Sequence, residues 1–248
     1  MAEEFIAGRN AVAEALKSGR PADMLFVARE EPGGPSGTPG SLGPLIALAK
    51  SQGVVVKDVK REKLEQLSGT SRHQGAVLSV AAAAYAELEE LLASANAKRE
   101  SPFLVLCDEI EDPHNLGAIL RTAEAAGVHG VVVPRRRSAP LSQTVSRTSA
   151  GAVEHIPVAR VSNLCAAMET LKARGLWIYG ADMAGEPYDA RPLGGPVALV
   201  IGSEGKGLGR LVKERCDALL ALPMRGKINS LNASVAAGIL MYEIVKHR

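Results

Sequence analysis

Over the first third of the chain, short apolar runs alternate with stretches in which apolar residues recur every three or four positions. This rhythm predicts a helix over Asn10 to Lys17, a strand over Met24 to Ala28 and a helix over Leu42 to Ser51. A strand over Val54 to Val59, a helix over Arg61 to Leu67 and a strand over Ala76 to Ala82 follow, making a small α/β domain of residues 1–82. Within it, Pro and Gly dominate residues 31–43, a loop with nothing apolar to anchor it. Residues 83–100 are helix-prone but weakly patterned, predicting a connector. From residue 101 the apolar runs FLVLCD, GVVVP, LWIYGAD, PVALVIG and ALLALPM alternate with helical patterns after Asp112, around Ser142 to Gly151, and over Ser162 to Arg174, Leu208 to Glu214 and Asn232 to His247. Continuous runs of this kind suit a mostly parallel sheet covered on both faces. Its ligands belong beyond the carboxyl ends of the strands.

Composition narrows the function only a little. With 248 residues, 46% of them apolar, each domain can bury a core, while 3% aromatics is poor provision for stacking bases. Cys107, Cys165 and Cys216 are far apart and form no CxxC pair, which fits a reducing compartment rather than a disulfide or zinc framework. The acidic start lacks the features of a signal peptide, and no apolar run is long enough to span a bilayer, so a cytoplasmic protein is expected. A net charge of +2 permits nucleic-acid binding without requiring it.

Three segments carry candidate chemistry. In DEIEDPHNLGAILRTAEAAGVHGVVVP, Asp112 and Pro113 start a helix and Gly127 closes it. Arg121 falls off the apolar face of that helix, one turn beyond Gly117, which should leave open space beside it. Asn115 as a plain cap and Arg121 as a solubilising charge remain the bland alternatives. In VALVIGSEGKGLGRLVKERCD, four glycines after a buried strand let backbone approach a ligand, with Glu204 at the strand end. A phosphate-binding loop is excluded by spacing, since it would need glycine at Val200 and Ser or Thr at Gly207. In ALLALPMRGKINSLNASVAAGILMYEIV, Asn229, Ser230 and Asn232 crowd the start of the last helix, more polar residues than one cap needs. Ala233, Ala236, Ala237 and Gly238 behind them suit close packing, in a core or against another subunit. No GxGxxG follows the first strand of either domain, so a dinucleotide-type site has no support.

Together these motifs resemble the SpoU/TrmH family of RNA ribose 2'-O-methyltransferases, in order and spacing, across Phe103 to Arg248. GRNAVAEAL and RHQGAVLSV in the first domain resemble the ribosomal-protein-like RNA-binding domain that some members carry. The likeness runs nearest to the bacterial 23S rRNA guanosine subgroup; the Pro/Gly segment departs from it. The resemblance implies a deep trefoil knot in the methyltransferase domain, a rare exception among folds. It also implies a homodimer joined through the last helix and its small residues. S-adenosyl-L-methionine is expected against Gly202, Leu222 and Leu231, with Met224 and Ala181 nearby. The resemblance gives catalysis to Arg121, supported by Asn115, Glu204, Ser230 and Asn232.

An RNA path is expected along Arg135, Arg136 and Arg137 after a strand end, Arg147, and Arg225 with Lys227, extended across the small domain by Arg9 and His73. His114, His129 and His155 show no metal-ligand spacing, so no metal is expected, and Cys107 reads as a small core residue. Methylation of transfer RNA or another rRNA site, and a non-catalytic RNA binder or ribosome-assembly factor, are the competing readings. A pure binder has no need of Arg121, Asn115, Glu204 and Asn232 together.

Overall fold

The computed structural model describes residues 5–19, 21–29, 42–80, 83–227 and 230–248. Most of the Pro/Gly segment, together with Asn229, lies outside them. The chain divides into two compact units, Met1–Ala84 with Pro140–Gln143, and Tyr85–Ala139 with Thr144–Arg248.

The first unit runs β1 (Phe5–Ala7), α1 (Arg9–Lys17), β2 (Ala22–Ala28), α2 (Gly43–Ser51), β3 (Val55–Val59), α3 (Arg61–Ser68) and β4 (Ala76–Val80). Its sheet has the order β1-β4-β2-β3, with β2 and β3 parallel and both pairings of β4 antiparallel. Val12 and Leu16 of α1 and Leu45 and Ala49 of α2 bury against Leu25, Val27 and Leu78 of the sheet. The α3 helix packs on β1, β2 and β4. Covered in this way, β4 is buried at all five positions, and its sequence accordingly shows no polar alternation.

The second unit continues with α4 (Leu88–Lys98), β5 (Phe103–Cys107), α5 (Pro113–Ala125), β6 (Gly130–Pro134), α6 (Gln143–Thr148) and β7 (Val158–Val161). It ends with α7 (Leu164–Ala173), β8 (Trp177–Pro187), β9 (Val197–Ile201), α8 (Arg210–Arg215), β10 (Ala218–Ala221) and α9 (Ala233–Lys246). All six strands are parallel, in the order β10-β8-β9-β5-β6-β7. The chain steps from β5 outward through β6 to β7, then returns to β8, inserts β9 between β8 and β5, and ends with β10 at the far edge. The carboxyl ends of β5 and β9 therefore flank a switch point, where such sheets place a ligand. Among the described residues, no helix is long and apolar enough to cross a membrane.

Two expectations need correction. The stretch 83–100 is no free connector, because Leu88, Leu91 and Leu92 of α4 belong to the core of the second unit with Leu104, Leu106 and Val132. A Cβ added to Gly130 would stand 2.2 Å from Leu91 Cγ, so the leucine occupies the room that glycine leaves. Gly117 does not leave open space beside Arg121 either. A Cβ there would stand 1.9 Å from Thr148 Oγ1 and 3.0 Å from the backbone nitrogen of Ser149, so α6 fills the gap. We expect Gly117→Ala to destabilise the protein by about 1–3 kcal/mol, as overpacking does. Urea unfolding checks this, and an unchanged midpoint would contradict it.

Candidate active site

Three segments follow the carboxyl ends of the strands: residues 108–112 after β5, 202–209 after β9, and 222–227 with 230–232 after β10. The glycine-rich loop is held by its own backbone, since Ser203 and Gly207 exchange hydrogen bonds of 3.1 and 2.9 Å. Gly205 and Gly207 take φ of +81° and +65°, a region that side chains disfavour. At Gly202 a Cβ would lie 2.3 Å from the carbonyl carbon of Gly207, so backbone alone fits. The far end of the loop is tied to β5 by Asp108, whose carboxylate accepts a 2.7 Å bond from Gly209 N–H. Burial raises the Asp108 pKa, with Glu109 adding to the rise, while the Gly209 bond and Arg137 oppose it. Burial likewise pushes the Cys107 thiol up to about 12, in keeping with a core residue.

The polar centre joins residues more than a hundred positions apart. Asp112 caps α5 by accepting from His114 N–H at 2.8 Å, and Asn115 follows in the first turn. Asn232 caps α9, its Oδ1 accepting from Ser234 N–H at 2.9 Å and Val235 N–H at 3.3 Å. The other end of that amide donates to Asn115 Oδ1 at 2.8 Å and to Glu204 Oε1. Glu204 Oε1 also accepts from Ala233 N–H at 3.4 Å. Asn232 thus does two jobs, capping with its oxygen and fastening α5 to the glycine-rich loop with its nitrogen. Beside this cluster lies a cavity of about 260 Å³. Its β5 side is Glu109, Ile110, Glu111, Asp112 and Asn115; Ser203, Glu204 and Lys206 close it from the glycine-rich loop.

The other predicted residues distribute as follows. Arg121 does not line the cavity; it is exposed on α5 and makes no ion pair or hydrogen bond to a described residue. Six residues beyond Asn115, it stands about 9 Å further along the helix axis. Ser230 is exposed at the approach to α9. Leu222 and Met224 are half-buried beyond β10 and Leu231 is 39% exposed. The backbones of all three make no hydrogen bond to a described residue outside the strand ladders. Ala181 is one of five β8 residues passed over by a register shift against β10, since Gly180 pairs with Leu219 and Glu186 with Leu220.

Arg135, Arg136, Arg147, Arg225 and Lys227 are exposed. Arg137 is exposed too, but its Nη1 lies 2.5 Å from Glu109 Oε1 at the cavity wall. His73 is a correction: it is fully buried, its Nδ1 accepting from Gly75 N–H at 3.0 Å, so it shapes its loop and has no surface for RNA. Arg9 Nε donates to the Gln74 carbonyl of that loop at 2.9 Å. The small residues of α9 also differ from expectation. Ala233 and Ala237 are buried and α9 packs on α5, while the exposed stripe is Val235, Ile239 and Tyr242. Sequence reasoning missed Asp108 and the Glu109–Arg137 pair. Asp108 immediately follows an apolar strand, which was an available signal; the pair has none.

The SpoU rRNA methylase family model matches residues 102–242, and a model for RNA 2'-O ribose methyltransferase substrate binding matches residues 5–86. A Bacillus subtilis protein named as a TrmH family tRNA/rRNA methyltransferase, YacO, is 52% identical over 99% of this chain and 96% of its own length. The AdoMet-bound crystal structure of the SpoU methyltransferase AviRb from Streptomyces viridochromogenes shares 25% identity and a TM-score of 0.60, covering 98% of this chain and 89% of that one. An AdoMet-bound rRNA methyltransferase from Sinorhizobium meliloti shares 26% identity and a TM-score of 0.60, over 98% and 87%. The switch-point site, the order of its three loops and these likenesses agree: the chain belongs to the SpoU/TrmH family of RNA methyltransferases.

Proposed function

We propose that this enzyme transfers the methyl group of S-adenosyl-L-methionine to a ribose 2'-hydroxyl of RNA, with a guanosine of 23S rRNA as target. The observation that carries this reading is the Asn115–Asn232–Glu204 cluster, assembled from the first turn of α5, the cap of α9 and the glycine-rich loop beside a cavity of about 260 Å³. S-adenosylmethionine supplies an electrophilic methyl group when bound. The chain's provision for it is backbone: Gly202, where no side chain fits, and the backbone groups of Leu222, Met224 and Leu231, which bond no described residue outside the strand ladders. Ala181 and Met224 belong to the same proposed cofactor set, as the family resemblance implies.

A ribose hydroxyl is a weak nucleophile and must be aligned while its developing negative charge is stabilised. Asn115 and Ser230 position the ribose. Glu204 has Oε1 committed to Asn232 and Ala233, which leaves Oε2 to take the hydroxyl proton. Arg121, always protonated, binds the phosphate beside the target and stabilises the alkoxide charge rather than acting as a base. The same proposal includes the deep trefoil knot, supported by the fold likeness to AviRb, and a cytoplasmic homodimer. Support for the dimer is the stripe of Val235, Ile239 and Tyr242 on α9, which are 50%, 39% and 53% exposed. The domain of residues 5–86 favours rRNA; the tRNA/rRNA name of the Bacillus relative keeps transfer RNA as the second reading.

Alkaline digestion of the methylated product tests the chemistry. A 2'-O-methyl group blocks cleavage at its own phosphodiester, so label should emerge in a dinucleotide, and label in mononucleotides would contradict ribose methylation. Arg135, Arg136, Arg147, Arg225 and Lys227 give RNA a cationic path. Five contacts to single-stranded phosphates predict that log affinity falls with log salt at a slope of about −3.5. A flat salt response would contradict phosphate binding by these residues.

A further inference from the structure

The cavity beside Asn115 has an unusual charge for an RNA enzyme. Four of its wall residues are acids, Glu109, Glu111, Asp112 and Glu204, against the single cation Lys206. An anionic phosphate is repelled there, whereas a group rich in hydrogen-bond donors is welcome. Three of the acids are already engaged. Glu109 pairs with Arg137, Asp112 caps α5 and Glu204 holds Asn232 and Ala233. Glu111 makes no hydrogen bond or ion pair to a described residue, so its two oxygens face the cavity's contents or water. A separate observation points to a ligand. Asn115 is 7% exposed, its Oδ1 accepts from Asn232, and its Nδ2 has no partner among the described residues in the same cavity wall. Asn115 lines the cavity, so this amide N–H is available to an acceptor placed there.

We propose that this cavity receives the base of the target nucleotide and that Glu111 selects guanine, an inference that rests on the ribose-methyltransferase reading. Guanine presents its N1–H and N2–H side by side, matching the two acceptor oxygens of one carboxylate. Adenine and cytosine put a ring-nitrogen acceptor next to their amino group, and uracil flanks one N–H with two carbonyls; each sets an acceptor against a carboxylate oxygen. Bases outside a helix are read on this edge by such pockets. Ile110, 3% exposed, gives the base an apolar wall. The attached ribose supplies the oxygen acceptor that Asn115 Nδ2 lacks. The cavity's size, about 260 Å³, is near the lower end of the roughly 300–1,000 Å³ of small-molecule pockets, suited to one base and not a longer segment.

The test measures single-turnover methyl transfer to RNAs carrying guanosine, inosine or adenosine at the mapped target position, with the full-length wild-type enzyme and with Glu111→Gln. Inosine lacks the N2 amino group and adenosine lacks both donors. Wild type should prefer guanosine over adenosine by about 5- to 150-fold, the range of one bidentate base contact, with inosine between them. Glu111→Gln should bring the three rates within a few-fold of one another, with a thermal unfolding midpoint matching wild type. Equal wild-type rates on all three RNAs, a non-guanosine target, or undiminished discrimination in Glu111→Gln would overturn the proposal while leaving ribose methylation intact. Absence of wild-type ribose methylation on any RNA would overturn the reading on which it rests.

Discussion

Lysine in place of Arg121 should lower turnover by about 10²- to 10³-fold, the cost of losing one transition-state donor, while RNA affinity stays within a few-fold of wild type. Lysine keeps the charge and so keeps a phosphate attached. It loses the planar fork that can hold a phosphate oxygen and the reacting hydroxyl together. Because Arg121 is exposed and engages no described residue, the exchange should leave the fold alone, and the unfolding midpoint serves as a control. Single-turnover kinetics with separately measured RNA binding checks this. Near-normal turnover would remove Arg121 from the chemistry; loss of binding with normal turnover would make it a docking residue.

Asn232→Ala should harm both stability and rate, because one side chain performs two tasks. Its oxygen caps α9, which is worth about 1 kcal/mol. Its nitrogen satisfies the buried Asn115 Oδ1, and leaving that acceptor unpaired costs roughly 1–3 kcal/mol more. Turnover should fall further than stability explains, since Glu204 loses the side-chain donor and keeps only the 3.4 Å bond from Ala233 N–H. Asn232→Asp separates the two tasks: it retains a capping oxygen but has no amide donor, and it places a second carboxylate beside Glu204. It should recover much of the unfolding midpoint and none of the turnover. If Asn232→Asp turned over normally, the amide nitrogen would have no part in the site.

These expectations draw on features that were unequally legible in the sequence. The core strands β5, β6 and β9 announced themselves because burial on both faces demands unbroken apolar runs. The caps Asp112 and Asn232 were readable from local chemistry. β1 is only three residues long, and Arg160 interrupts the apolar pattern of β7, so both went unseen. The α4 helix passed for a connector because an alanine run blurred the spacing of Leu88, Leu91, Leu92 and Ala95, all of which are buried. Gly117 shows a deeper limit: a small residue announces a vacancy, but only the fold shows that Thr148 fills it. The bond between Asn232 and Asn115 spans 117 positions, and no local pattern encodes it. The Glu109–Arg137 pair depends in the same way on two loops coming together after adjacent strands. Motif order located the loops; their polar connections needed the fold.

Transfer of labelled methyl from S-adenosylmethionine to unmodified 23S rRNA and transfer RNA, followed by mapping of the modified nucleotide, tests the central claim most directly. The expected result is incorporation at the ribose 2'-oxygen of a guanosine in 23S rRNA, while incorporation into transfer RNA would keep the chemistry and move the target. No incorporation into either RNA, with RNA binding intact, would contradict the account and leave the chain a binder built on a methyltransferase fold.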